Sequence, residues 1–185
     1  MKVDEADLAK RAGRGDDDAF ETIVNHYSQR IVRYCHRMVG TGAEDLAQEI
    51  FVKLFMALDR LEAQKPLTPF LFRIAHNHCV DALKKKKVST VSLVRSGEQG
   101  MEAQHADEKP TPEELAQKAE VQAAVEQALE SLPATYRSAL VMWHVEGMSY
   151  EEISQTLGLP MGTVKARIHR GREKLQQKLR SLVMC

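Results

Sequence analysis

The chain has 185 residues, 26 Lys and Arg against 26 Asp and Glu, and 43% apolar side chains. That is enough for one medium domain or two small ones, and a net charge of zero argues by itself against a uniformly basic nucleic-acid coat. The average hides a segregation: residues 1–87 carry 15 basic against 13 acidic side chains, 88–130 carry 3 against 9, and 131–185 carry 8 against 4. Two basic ends around an acidic middle suggest two modules that face phosphate, joined by a segment that avoids or screens it.

Cys35, Cys79 and Cys185 form no CxxC pair and no even framework, which fits a reducing compartment. The opening MKVDEADLAKRAGRGDDD lacks the apolar core of a signal peptide, and no run approaches the length that spans a bilayer. The sequence therefore reads as soluble and cytoplasmic, with no membrane insertion.

From Asp4 to Lys87 apolar residues recur at helical spacing, and no stretch alternates as a strand does. The pattern predicts helices over 4–13, 17–38, 43–61 and 68–86, broken by Gly13 and Gly15, by Gly40 and Gly42, and by Pro66 with Pro69. In the third, Leu46, Ala47, Ile50, Leu54, Leu58 and Leu61 form a stripe wide enough to bury the helix. Its other side interleaves Asp45, Gln48, Glu49 and Asp59 with Val52 and Met56. An acidic face with apolar anchors suits a helix that docks on another protein. Packing of Val52 and Met56 against the first or second helix would account for the same pattern without a partner.

In the fourth helix, FLFRIAHNHCVDALKKKK, residues seven apart nearly superimpose after two turns, which sets Arg73, Asn77 and Lys84 along one edge. Lys84, Lys85 and the two lysines after them offer salt-sensitive attraction to a phosphate backbone, although the helix dipole alone also favours lysine there. Phe70 and Phe72 are read as core rather than as a base-stacking platform. His76, His78 and Cys79 stand two and three apart on one helix and diverge too far to share a metal ion. No nucleophile motif, phosphate loop or paired carboxylate suggests catalysis, so neither an enzyme nor a cofactor is expected.

Residues 88–114, VSTVSLVRSGEQGMEAQHADEKPTPEE, lose periodicity and gather Ser, Gly, Gln, acidic residues and proline, the composition of a flexible linker. Periodicity returns at Leu115, predicting helices over 115–130, 134–145, 149–157 and 161–180 around Leu129, Leu132, Leu140, Trp143, Ile153 and Val164. The last pair, YEEISQTLGLPMGTVKARIHRGREKLQQKL, reads as a helix, a tight turn at Gly158 and a basic helix, the shape of a helix-turn-helix. Val164, Ile168, Gly171 and Leu175 face inward. The opposite face presents Ala166, His169, Arg170 and Glu173, flanked by Lys165, Arg167 and Arg172. Such a face fits a DNA major groove: arginine can donate a bidentate pair to guanine, alanine can meet a thymine methyl, and flanking cations can hold phosphates. A surface helix with solvated charges would share the composition, though not the turn. The expected fold is all-α, with two small helical domains (1–87 and 115–185) joined by the linker and the helix-turn-helix in the second.

Three segments, in order, resemble the extracytoplasmic-function branch of the bacterial sigma-70 family. AFETIVNHYSQRIVRYCHRMVG with AEDLAQEIFVKLF is similar to the region that binds core RNA polymerase. FLFRIAHNHCVDALKKKK is similar to the helix that reads the minus-10 element and melts it, and SLPATYRSALVMWHVEGMSYEEISQTLGLPMGTVKARIHRGREKL to the domain that reads the minus-35 element. The resemblance implies that Asp45, Gln48, Glu49 and Val52 dock on the clamp helices of the largest polymerase subunit. It also implies that Arg73, Asn77 and Asp81 match the melting-helix pattern, with Asn77 against an extruded non-template base, and that Ala166, His169 and Arg170 contact the upstream element. The chain departs from the family in Phe70, where a Trp is frequent, and in Lys84 to Lys87, where arginines are usual; lysine meets phosphate as a point charge without a planar fork. The implied function is promoter-specific transcription initiation, with core RNA polymerase, promoter DNA and an anti-sigma factor as partners. A dimeric helix-turn-helix repressor, binding a two-fold operator without polymerase, is the alternative.

Overall fold

The computed structural model describes residues 5–61, 66–89 and 112–183. Among them are eight α-helices and no strand: α1 (Glu5–Ala12), α2 (Asp17–Val39), α3 (Ala43–Ala57), α4 (Leu67–Ser89), α5 (Pro112–Glu130), α6 (Ala134–His144), α7 (Tyr150–Leu157) and α8 (Met161–Val183), with a 3-10 turn, Leu58–Arg60, after α3. The third helix stops short of the expected residue 61 because its last turn tightens into that 3-10 segment. The expected linker narrows at both ends. Helix α4 runs on to Ser89, and α5 starts at Pro112, a residue whose missing N–H costs nothing in the first turn of a helix. Residues 90–111, the rest of that expected linker, lie outside the described residues.

Local chemistry accounts for the helix ends. The Asp16 side chain caps α2 by accepting from the Ala19 amide at 3.0 Å and takes Arg11 Nε at 2.8 Å; these two donors hold its carboxyl below the usual range. Ser149 and Glu152 close a reciprocal capping box at the start of α7. Gly13 ends α1 where it meets the 3-10 turn, and a Cβ there would lie 2.8 Å from the Leu58 carbonyl oxygen, so only glycine lets these segments approach.

The first four helices pack around α2. Ile23, Tyr27, Ile31, Tyr34 and Met38 follow one another three or four residues apart and are at most 1% exposed, against Ile50 and Leu54 of α3 and Leu71, Phe72, Ala75 and Cys79 of α4. Each large aliphatic side chain buried this way contributes roughly 1.5–3 kcal/mol. Leu129, Leu132, Leu140, Ile153, Val164 and Ile168 make the corresponding core of the C-terminal helices. Trp143 packs against this core while staying half-buried: its ring is parallel to Tyr150 at 6.3 Å, with the Arg172 guanidinium 5.7 Å above it.

The two helical domains pack against each other. Their cores merge into one cluster, with α5 and α6 against α2 and α7 against α4. Arg137 of α6 is buried at the junction and donates to the carbonyls of Met38, Glu130 and Leu132.

Candidate polymerase and nucleic-acid interface

The outward face of α3 is uncovered. Val52 is 54% and Met56 70% exposed, so neither packs on α1 or α2, and they line one shallow concavity with Asp45, Gln48, Glu49 and Lys53. Beside them Phe55 is 49% exposed and meets Phe20 edge to face, with centroids 5.0 Å apart. Phe55 and Lys53 were absent from the sequence reading; the apolar neighbours Val52 and Met56 were the available signal for Phe55. Glu49 is held from behind by α4. Lys53 Nζ can only donate, so His78 Nδ1, 2.8 Å away, accepts, and the His78 Nε2 proton goes to Glu49 at 2.6 Å. That relay fixes the carboxylate's orientation on the face that holds the other expected polymerase contacts.

Along α4, Arg73, Asn77 and Lys84 are exposed, as one edge requires, and Lys85 next to them is exposed as well. The Arg73 guanidinium lies 5.4 Å over the Phe70 ring, and Lys84 pairs with Asp81 at 3.4 Å. Phe72 is fully buried and Phe70 half-buried, so only Phe70 has surface available to a base. His76 faces the C-terminal group: it meets the Tyr34 hydroxyl at 3.2 Å, and burial followed by the Arg167 charge brings its pKa down to about 4. Cys79 lies against Cys35, sulfur to sulfur 3.8 Å, both fully buried.

In the helix-turn-helix, Gly158 adopts φ +64° and turns the chain from α7 toward α8, a conformation that side-chain-bearing residues rarely take. Val164, Ile168 and Gly171 are buried and Leu175 half-buried, which leaves Lys165, Ala166, His169, Arg170 and Arg172 outside. Two of the cations rest on rings: Lys165 is 5.6 Å from the Tyr150 centroid, and Arg172 lies over Trp143. His169 sits 3.4 Å from Glu173 one turn on. Arg167, between those two cations, is half-buried, and its charge reaches His76 of α4.

Two family models match this chain in the same order as its helical groups, Sigma-70 region 2 over residues 23–88 and Sigma-70, region 4 over residues 122–175. The ECF RNA polymerase sigma factor SigW of Bacillus subtilis (strain 168) is 36% identical over 178 residues, which cover 94% of this chain and 95% of that one. The chain belongs to the ECF sigma factors. The ECF RNA polymerase sigma-E factor of Escherichia coli (strain K12) is 32% identical over 182 residues, 95% of this chain and 94% of the other. Among solved structures, CnrH in complex with the cytosolic domain of CnrY superposes with a TM-score of 0.71 at 25% identity, over 96% of this chain and 97% of CnrH. The sigma factor RpoE in complex with the anti-sigma factor NepR from Bartonella quintana shares the fold, with a TM-score of 0.68 at 23% identity over 87% of this chain and 96% of RpoE. As an ECF sigma factor the chain is an alternative transcription initiation factor that acts with core RNA polymerase at promoters. No helix among the described residues is long and apolar enough to cross a membrane.

Proposed function

We propose that this sigma factor divides its work between residues 1–87 and 115–185, with 88–114 setting the reach between them. Asp45, Gln48, Glu49 and Val52, extended by Phe55 and Met56, take the polymerase clamp helices. Arg73 and Asn77 meet the minus-10 non-template strand, and Lys84 and Lys85 hold its phosphates. Ala166, His169 and Arg170 read the minus-35 duplex, while Lys165, Arg167 and Arg172 fix its register on the backbone. The protein acts by binding and carries out no chemistry of its own. Its place of work is the cytoplasm, where polymerase and chromosome are, and an anti-sigma factor is its regulatory partner.

The observation that carries this reading is the uncovered α3 face. Three large apolar side chains stand in water beside three polar or acidic ones, an arrangement that makes physical sense when a partner covers it. The test is run-off transcription from fragmented genomic DNA with bacterial core polymerase, with and without the purified protein. Discrete new start sites sharing two spaced upstream elements are expected. Absence of new transcripts together with failure to bind core enzyme would remove the reading.

A further inference from the structure

Two carboxylates of this chain are held in opposite ways. Glu146 is buried and accepts from Arg33 Nε at 3.0 Å and from Arg30 Nε at 3.2 Å, so its charge is used up within the fold. Glu49, on the outward face of α3, keeps a side chain that is 64% exposed, and His78 meets it at Oε2. The informative neighbour is Lys53. It follows Glu49 by four residues on the same helix, and glutamate four positions ahead of lysine is the order that favours a direct ion pair across one turn. Such a pair would cancel the carboxylate on the very surface where it faces water.

An imidazole from α4 stands in the way. Lys53 Nζ donates to His78 Nδ1 at 2.8 Å, and the other ring nitrogen donates to Glu49 at 2.6 Å. The two nitrogens of an imidazole point away from each other, so one ring that serves both residues also keeps them apart. The helix that carries it is anchored: the next residue, Cys79, is fully buried against Cys35 of α2. A neutral ring N–H orients the carboxylate and leaves its charge in place, whereas an ammonium would orient it and cancel it. A side chain already held in its binding geometry also loses less rotamer freedom when a partner arrives.

We propose that His78 is a positioning residue for polymerase docking: it diverts Lys53 from Glu49, so that α3 presents an oriented, uncancelled carboxylate to a cationic side chain of the partner. This rests on the assignment of α3 as the polymerase face. Glu49 stands beside the exposed Val52 and Met56, where a charge matched by an opposite charge fixes the register of apolar anchors that would otherwise slide. Without the ring, Lys53 reaches Glu49 across the turn, and the face becomes neutral at that point.

The test measures the affinity of the full chain for bacterial core polymerase, with helical circular dichroism and urea unfolding as controls for folding. Glu49→Gln should weaken binding about fivefold, the size of one ordinary interface contact. His78→Ala should do the same, because Lys53 then covers the carboxylate. Adding Lys53→Ala to the His78→Ala chain should restore binding by far more than Lys53→Ala raises it in the parent, a coupling that lost packing around the ring would not produce. His78→Gln, which keeps one acceptor and one donor on a chain of similar reach, should regain most of the affinity. If the alanine chain fails to fold, His78→Leu fills the space without polar atoms and gives the same comparison. Full affinity in His78→Ala with Glu49→Gln impaired would overturn the role of His78, as would equal effects of Lys53→Ala with and without the ring. Full affinity in Glu49→Gln would instead remove Glu49 from the docking face, and the role of His78 with it.

Discussion

The outward face of α3 and the seam between α2, α6 and α7 invert the usual partition in opposite ways. On α3, Val52, Phe55 and Met56 stand in water; in the seam, Glu146 and Arg137 are buried. Apolar surface left wet calls for an occupant from outside the chain. A charge buried among its donors already has its occupant, supplied from within the chain. The comparison separates a surface that we propose is kept for a partner from a surface the fold consumes, and the helix-turn-helix face of α8 is a third case, in which Lys165 and Arg172 lie outside with the Tyr150 and Trp143 rings beneath them.

Arg137 is where the comparison breaks most visibly. Arg137→Ala leaves the carbonyls of Met38, Glu130 and Leu132 without their guanidinium donor in a seam that water enters poorly, and should cost on the order of 3 kcal/mol in urea unfolding. A loss under about 1 kcal/mol would mean that water takes over the three acceptors.

Next comes acid. His76 titrates near 4 in the folded chain, lowered by burial and by Arg167, against about 6.5 when unfolded. Between those values the unfolded chain binds more protons, so stability rises with pH across this window. The penalty is absent above about pH 7 and reaches about 2–3 kcal/mol near pH 4. His76→Gln keeps a partner for the Tyr34 hydroxyl and should flatten that limb of the stability profile; an unchanged slope would show that other groups produce it.

Truncating the α3 anchors, Val52→Ala with Met56→Ala, should cost about 2 kcal/mol of core-polymerase affinity, roughly thirtyfold, while urea unfolding moves by under about 0.5 kcal/mol because both side chains are exposed. Equal losses in stability and affinity would make α3 a structural face after all. On α8, Arg170→Ala should remove about 1.5 kcal/mol of discrimination at the upstream element, in the range of one bidentate base contact; an unaltered promoter profile would take Arg170 out of the reading set. The smallest effect is Tyr150→Leu, which removes the ring under Lys165 and should weaken duplex binding by about 0.5 kcal/mol, with no change in sequence preference.

Much of this molecule is readable one element at a time. The α2 stripe, the glycine turn at Gly158 and the inward set Val164, Ile168 and Gly171 follow from helical spacing and from a backbone position that glycine fills most easily. The exposed edge of Arg73, Asn77 and Lys84 follows from the same rule. Spacing left the fate of Val52 and Met56 open, because a helix records which residues share a face and not what covers that face. Spacing set Trp143 against the core, where it packs, but a helical pattern does not record that Tyr150 and Arg172 meet its half-exposed ring.

By itself the sequence determined the all-α class, the order of the helices within a few residues of their ends, the helix-turn-helix and the family, since each rests on contacts between residues close in the chain or on motifs that can be read in order. Only the tertiary structure decided that α3 stays uncovered, that His78 steers Glu49, and that Glu146 is matched to Arg30 and Arg33 across more than a hundred residues. A single glutamate before a glycine and two arginines on a helix carry no local sign of one another. Their pairing arises when the apolar cores merge, because the buried carboxylate then gains enough from its donors to offset leaving water.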